Sequence, residues 1–165
     1  MKVELKSKEE IIDDEEITIW QLDKNDGAIV ITINKLFDDT ICECDWLDDK
    51  HKFLQVMYSD WDSNELFAIV NTDGEIIRDA IRSVEEYIEK PQLFIVEMSG
   101  FGLGSEASEH DLSADDWKMA VINRYGEFVI EPIYPKIYFE DEESTFYADN
   151  YTGEKIKYSV DGKKV

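Results

Sequence analysis

Short runs of apolar, β-branched and aromatic residues alternate with glycine-bearing turns along most of this chain. That alternation leaves little room for helices. Lys24-Asn25-Asp26-Gly27, Thr72-Asp73-Gly74, Arg124-Tyr125-Gly126 and Asp161-Gly162 each separate two such runs. Glycine accepts the positive φ of tight turns, so these positions predict antiparallel hairpins. The strands expected around them cover about 16–22, 28–33, 40–46, 52–58, 66–71, 75–77, 93–98, 117–123, 127–130, 144–149 and 155–160. Two stretches read differently. Residues 8–15 are expected as one short helical turn. Residues 80–88, where Ala80, Ile81, Val84, Tyr87 and Ile88 recur at spacings of mostly three to four, are expected as another. Residues 99–116 are polar, glycine-rich and acidic, and are expected as a long loop. The fold class that follows is all-β, or mainly β with one or two short helices, built of antiparallel hairpin repeats.

At 165 residues the chain has the size of one domain. The expected organisation is about three hairpin repeats, at about 16–58, 65–98 and 117–149, with a closing half-repeat at 155–165. A shift of 52 residues superposes Ala68 on Ala120, Asn71 on Asn123, Gly74 on Gly126, Glu75 on Glu127, Ile81 on Ile133 and Phe94 on Phe146. Apolar pairs fill the gaps: Ile69 with Val121, Val70 with Ile122, Ile77 with Val129. Units this small bury no face alone and are stable only when stacked on their neighbours.

The stretch from Trp117 to Tyr134 reads WKMAVINRYGEFVIEPIY. It resembles the WG-repeat family: a tryptophan, a short apolar strand ending in a polar turn, Gly126, the charged Glu127, an apolar pair, Pro132, then Tyr134. The residue after Trp117 is Lys118 rather than the glycine that names the repeat. Residues 65–98 resemble a degraded copy without the tryptophan, proline and tyrosine. The resemblance implies a bacterial β-hairpin array with a binding rather than a catalytic role.

Charge narrows the choice of partner. Asp and Glu number 39 against 17 Lys and Arg, a formal net charge of −22. The last fifteen residues carry +2, which leaves −24 on residues 1–150. Such a surface repels phosphate backbones and anionic lipid, so neither nucleic acid nor a membrane is expected as a direct partner. The acids cluster at 9–16, at 38–49, at 106–116 and most tightly in Glu140-Asp141-Glu142-Glu143. Dense like charge destabilises a compact chain, and electrostatic complementarity selects partners and speeds their association. The expected partner is a basic protein. No secretory apolar stretch opens the sequence, and Cys42 and Cys44 are too few for a disulfide framework, so a reducing cytoplasm is the expected location.

Candidate chemistry is sparse. Cys42-Glu43-Cys44 would place both thiols on one side of a strand, but zinc needs four ligands and only His51 lies near, so two small inward-facing residues are expected instead. Asp60-Trp61-Asp62-Ser63-Asn64-Glu65 opens like a calcium loop but lacks its glycine and its terminal glutamate. Gly100-Phe101-Gly102-Leu103-Gly104 misplaces the third glycine of a dinucleotide fingerprint, and Glu106 and Glu109 would repel a pyrophosphate. His110-Asp111 has no nucleophile in a recognisable setting. No enzyme activity, metal or cofactor is expected. The residues expected to meet a partner are Asp60, Trp61, Asp62, Phe101, Leu103, Glu140, Asp141, Glu142 and Glu143. The function expected is sequestration of a basic protein, most concretely by a toxin-immunity or inhibitor protein facing a nuclease-type toxin. The alternatives are a scaffold or sensor module with a non-basic ligand, and a DNA mimic that occupies a nucleic-acid-binding enzyme.

Overall fold

Alternating and apolar strand patterns govern the architecture throughout. In the computed structural model, which describes residues 2–38, 40–59, 64–99 and 117–165, 67% of residues lie in strands and 3% are helical. The fold is all-β and antiparallel. Among the described residues no helix is long and apolar enough to cross a membrane. The chain divides into two compact units, one up to Asp79 and one from Ala80 onward.

In the first unit, β1 (Val3–Ile12), β2 (Glu15–Lys24) and β3 (Ile29–Thr32) form one sheet in chain order. A single 3-10 turn, Ile33–Leu36, leads on to β4 (Thr40–Trp46), β5 (Phe53–Ser59) and β6 (Glu65–Asn71), which pair successively. Leu22, Ile33, Ile41, Cys44, Leu54, Val56 and Val70 close the core, with Trp20, Phe37 and Trp46 packed against it. Lys24 is buried among them and donates to the Asp73 carboxylate at 2.8 Å.

The strand β7 (Ile76–Ile88) starts in the first unit and ends in the second. There it pairs with β8 (Leu93–Ser99), which pairs with β9 (Trp117–Asn123), which pairs with β10 (Phe128–Tyr134). A three-stranded sheet of β11 (Lys136–Glu140), β12 (Thr145–Asp149) and β13 (Lys155–Ser159) completes the unit. Leu93, Ile95, Val121, Ile130, Ile137, Phe146 and Ala148 are buried together in its core. Inside that core the hydroxyls of Tyr134 and Tyr158 bond to each other, which satisfies two polar groups where water does not reach.

Neither expected helical turn is present. Residues 3–12 form the ten-residue strand β1. Residues 80–88 belong to β7, and the reason their apolar spacing mimics a helix is visible in the ladder. Ile81, Val84 and Tyr87 face Met98, Val96 and Phe94, so steps of three in β7 oppose steps of two in β8. Two register shifts, between Ile81 and Ser83 and between Val84 and Glu86, absorb the extra residues. Each bulge lengthens the inward-facing period by one and bends the strand. The strand β11 lies in a stretch to which the sequence assigned none.

The 52-residue offset recurs in the strand bounds. β6 and β9 have bounds 52 residues apart, and β8 and β12 begin 52 residues apart. Ala68 and Ala120, Val70 and Ile122, and Phe94 and Phe146 are buried in both copies. The thirteen residues of β7 correspond to β10 and β11 together, divided at Pro135. Proline has no amide to donate, so a ladder ends there. Ile81 is fully buried on the unbroken copy, whereas its counterpart Ile133 is 42% exposed.

One turn design recurs four times. Asn71, Asn123, Asn150 and Ser159 each accept, through the backbone carbonyl, the amide of a glycine three residues on: Gly74, Gly126, Gly153 and Gly162, all at φ of 78–81°. In the three asparagine turns the side-chain oxygen accepts two further amides, and the side-chain nitrogen donates to Glu75, Glu127 or Glu154. The asparagine thus supplies the bonds that a ladder lacks at its turn.

Candidate functional site

Because so many residues are acidic, the informative question is which carboxylates the fold itself uses. Asp48 accepts the amides of Lys50, Lys52 and Phe53 and shapes the β4–β5 turn. Asp23 accepts Gly27 N and pairs with Lys6 at 2.6 Å, and the lysine holds its carboxyl below the usual range. Glu75, Glu127 and Glu154 close the asparagine turns, and Asp73 neutralises Lys24.

Among the described residues, two hairpin tips carry runs of four consecutive acids. In the first unit the β1–β2 turn carries Asp13, Asp14, Glu15 and Glu16, all exposed. In the second unit Glu140 ends β11, and Asp141, Glu142 and Glu143 form the turn into β12, all exposed. Among the described residues, Asp13, Asp14, Glu15, Glu16, Glu140, Asp141 and Glu142 enter no ion pair. Glu143 is different. It pairs with Lys157 at 2.9 Å and accepts the Tyr147 hydroxyl at 2.7 Å, and these two bonds hold its carboxyl low. Asp141 in turn faces Glu86 of β7, whose carboxyl is pushed up by desolvation and by that neighbouring charge.

Of the residues expected to meet a partner, Glu140, Asp141, Glu142 and Glu143 therefore share one exposed turn. Asp60, Trp61, Asp62, Phe101 and Leu103 lie outside the described residues, as do the glycine run at 100–104 and His110-Asp111. The sequence missed that the outward face of β11–β13 is locally cationic. Tyr138 and Tyr147 stack in register at 5.5 Å, with Lys136, Lys155 and Lys157 within 5.7 Å of a ring. The alternation Lys136, Tyr138, then Lys155, Lys157 was the signal available for it.

The two cysteines do not share a side. A register shift between Ile41 and Glu43 sits at Cys42, so Cys42 is exposed while Cys44 is buried. His51 is occupied by a stack on Trp46, with rings 4.6 Å apart and 9° from parallel. Among the described residues no three His, Cys, Asp or Glu side chains converge on a point where a metal ion would sit. Burial, with the Glu43 charge beside it, pushes the Cys44 thiol up to about 12. Since the thiolate is the nucleophile, iodoacetamide at mildly alkaline pH should label one cysteine per folded chain, Cys42, and the second only in denaturant. Mass spectrometry reads this directly, and double labelling of the native chain would show that the bulge is misplaced.

Comparisons with protein-family models, with curated proteins and with solved structures found no match for this chain.

Proposed function

We propose that this chain is a non-catalytic binding protein that sequesters a basic protein. Its most concrete form is an immunity or inhibitor protein that covers the cationic substrate cleft of a nuclease-type toxin in the cytoplasm. The supporting observation is the sorting of carboxylates: many are spent within the fold, while two hairpin tips display acids that no cation of the described chain neutralises. On this reading the displayed carboxylates stand in for the phosphates that a nuclease binds. The likeness of residues 117–134 to the WG repeat favours a binding role as well.

Affinity purification from the native cell, with mass spectrometry, is expected to return a protein of strongly positive net charge. Its affinity for the purified chain should fall steeply with added salt, because exposed charges are screened within about 8 Å at physiological ionic strength. Replacing Glu140, Asp141, Glu142 and Glu143 by their amides removes rim charges worth a few tenths of a kcal/mol each, so binding should weaken roughly tenfold, chiefly through the association rate. Tight binding that ignores both salt and this substitution would overturn the proposal.

A further inference from the structure

The β1–β2 hairpin combines two features that the acidic turn at 140–143 does not. β3 pairs only with Gln21–Lys24, so the outer part of the ribbon has no third strand. The last clamp on it is the Asn34 side chain, which accepts Trp20 N at 2.7 Å and donates to the Thr18 carbonyl at 3.0 Å. Beyond that clamp the pairs Glu10–Ile17, Ile11–Glu16 and Ile12–Glu15 run out to a two-residue turn in which Asp13 and Asp14 both have positive φ. Three residue pairs reach about 10 Å before the turn begins.

At the end of this reach stand two isoleucines. Ile11 is 78% exposed and Ile12 is 43% exposed. Successive residues of a strand point to opposite faces, so the two project from the two sides of the ribbon. A two-residue turn requires neither of them, and Ile11 leaves most of its apolar surface in water. Around them in the sequence lie Glu9, Glu10, Asp13, Asp14, Glu15 and Glu16, and Lys8 is bound to Glu10 at 2.7 Å. An isoleucine on each side of an acidic turn matches a cleft with the reverse pattern: cationic groups to meet the turn and apolar walls to meet its two flanks. A second copy of the chain presents the same acids and is repelled, as are nucleic acid and anionic lipid.

We infer that the β1–β2 hairpin is the inserting element of this protein, and that Ile11 and Ile12 anchor it in the cleft of a basic protein while the neighbouring carboxylates meet its cationic groups. This rests on the proposed sequestering function and assigns its main contact to the first unit. Exposed charges at a rim set the rate of encounter, whereas buried apolar anchors set the lifetime of a complex.

The test uses the full chain carrying a benzophenone photocrosslinker at position 12 or, separately, at position 142, irradiated in native-cell lysate. The expected result is a cross-link from position 12 to a Lys- and Arg-rich segment of a protein of positive net charge. With that protein purified, Ile11→Ser/Ile12→Ser should weaken binding at least about tenfold, mainly by faster dissociation, with the salt dependence unchanged. The substituted chain should lose little in melting temperature, since Ile11 is largely exposed and Ile12 is only half-buried. A basic protein that cross-links from position 142 only, or that binds the double serine variant equally well, overturns the inference and leaves the sequestering function standing. Cross-links from neither position to any basic protein overturn both.

Discussion

Alanine at Gly162 should unfold the second unit many degrees earlier than alanine at Gly153, although the two glycines occupy the same place in the same turn. Both have φ near 80°, where a side chain costs about 1–2 kcal/mol. At Gly153 a Cβ meets nothing within 4 Å, so that strain is the whole cost. At Gly162 it would lie 2.2 Å from the carbonyl oxygen of Val129 and 3.1 Å from its carbon. Those are backbone atoms of β10, so relief requires moving a strand that also pairs with β9. Overpacking of this kind adds about 1–3 kcal/mol. The total, about 3 kcal/mol or more, corresponds to at least about 12 °C for a unit of this size. Gly74→Ala is the intermediate case, because its Cβ would meet the branch methyl Cγ2 of Ile31 at 2.8 Å, a side-chain group that is stiff but easier to shift than strand backbone. Melting followed by circular dichroism ranks the three. If Gly162→Ala melts with Gly153→Ala, the terminal turn does not lie against β10 as described.

The second large effect is expected at Asp73. Lys24 has a side chain only 5% exposed, and the Asp73 carboxylate, 74% exposed, is the counter-charge at its ammonium group. Removing one partner of a buried pair leaves a charge in low dielectric, which typically costs 3–5 kcal/mol. Here one end of the pair is in water, and Asp73→Ala is expected to destabilise the first unit by about 2–3 kcal/mol. Lys24→Met keeps the aliphatic stem and removes the charge, and a methionine there needs no partner. The variant with both substitutions should therefore recover most of the loss. A double-mutant cycle in urea measures the coupling. Additive effects would mean that another group already neutralises Lys24; among the described residues its ion pair is with Asp73.

The parts of this fold legible beforehand are those where local chemistry and tertiary role agree. Residues 66–70 and 119–122 are apolar runs largely buried on both faces, and Gly74 and Gly126 mark the turns that follow because glycine is most comfortable there. The misreadings have separate causes. Asp13-Asp14 carries none of the glycine that announces a two-residue hairpin, yet aspartate tolerates positive φ well enough to make one. An acidic run therefore concealed the ribbon on which Ile11 and Ile12 stand. Asn150-Tyr151-Thr152-Gly153-Glu154 repeats the pattern of the two earlier asparagine turns and was readable, had the asparagine rather than the glycine been taken as the marker. Alternation implied that Cys42 and Cys44 share a side, but one bulge reversed Cys42. Bulges leave no local trace, since they are fixed by the partner strand.

The strand from Ile76 to Ile88 has a consequence for any attempt to halve the molecule. Its first residues belong to one unit and its last to the other, so a cut between Asp79 and Ala80 severs a continuous run of backbone rather than a linker. A fragment ending at Asp79 keeps only a stub of that strand, and one starting at Ala80 opens directly on the ladder with β8, whose first pair is Ile81 and Met98. Any dissection of this protein should therefore give both fragments the whole stretch, a length of shared timber that neither can return to the other.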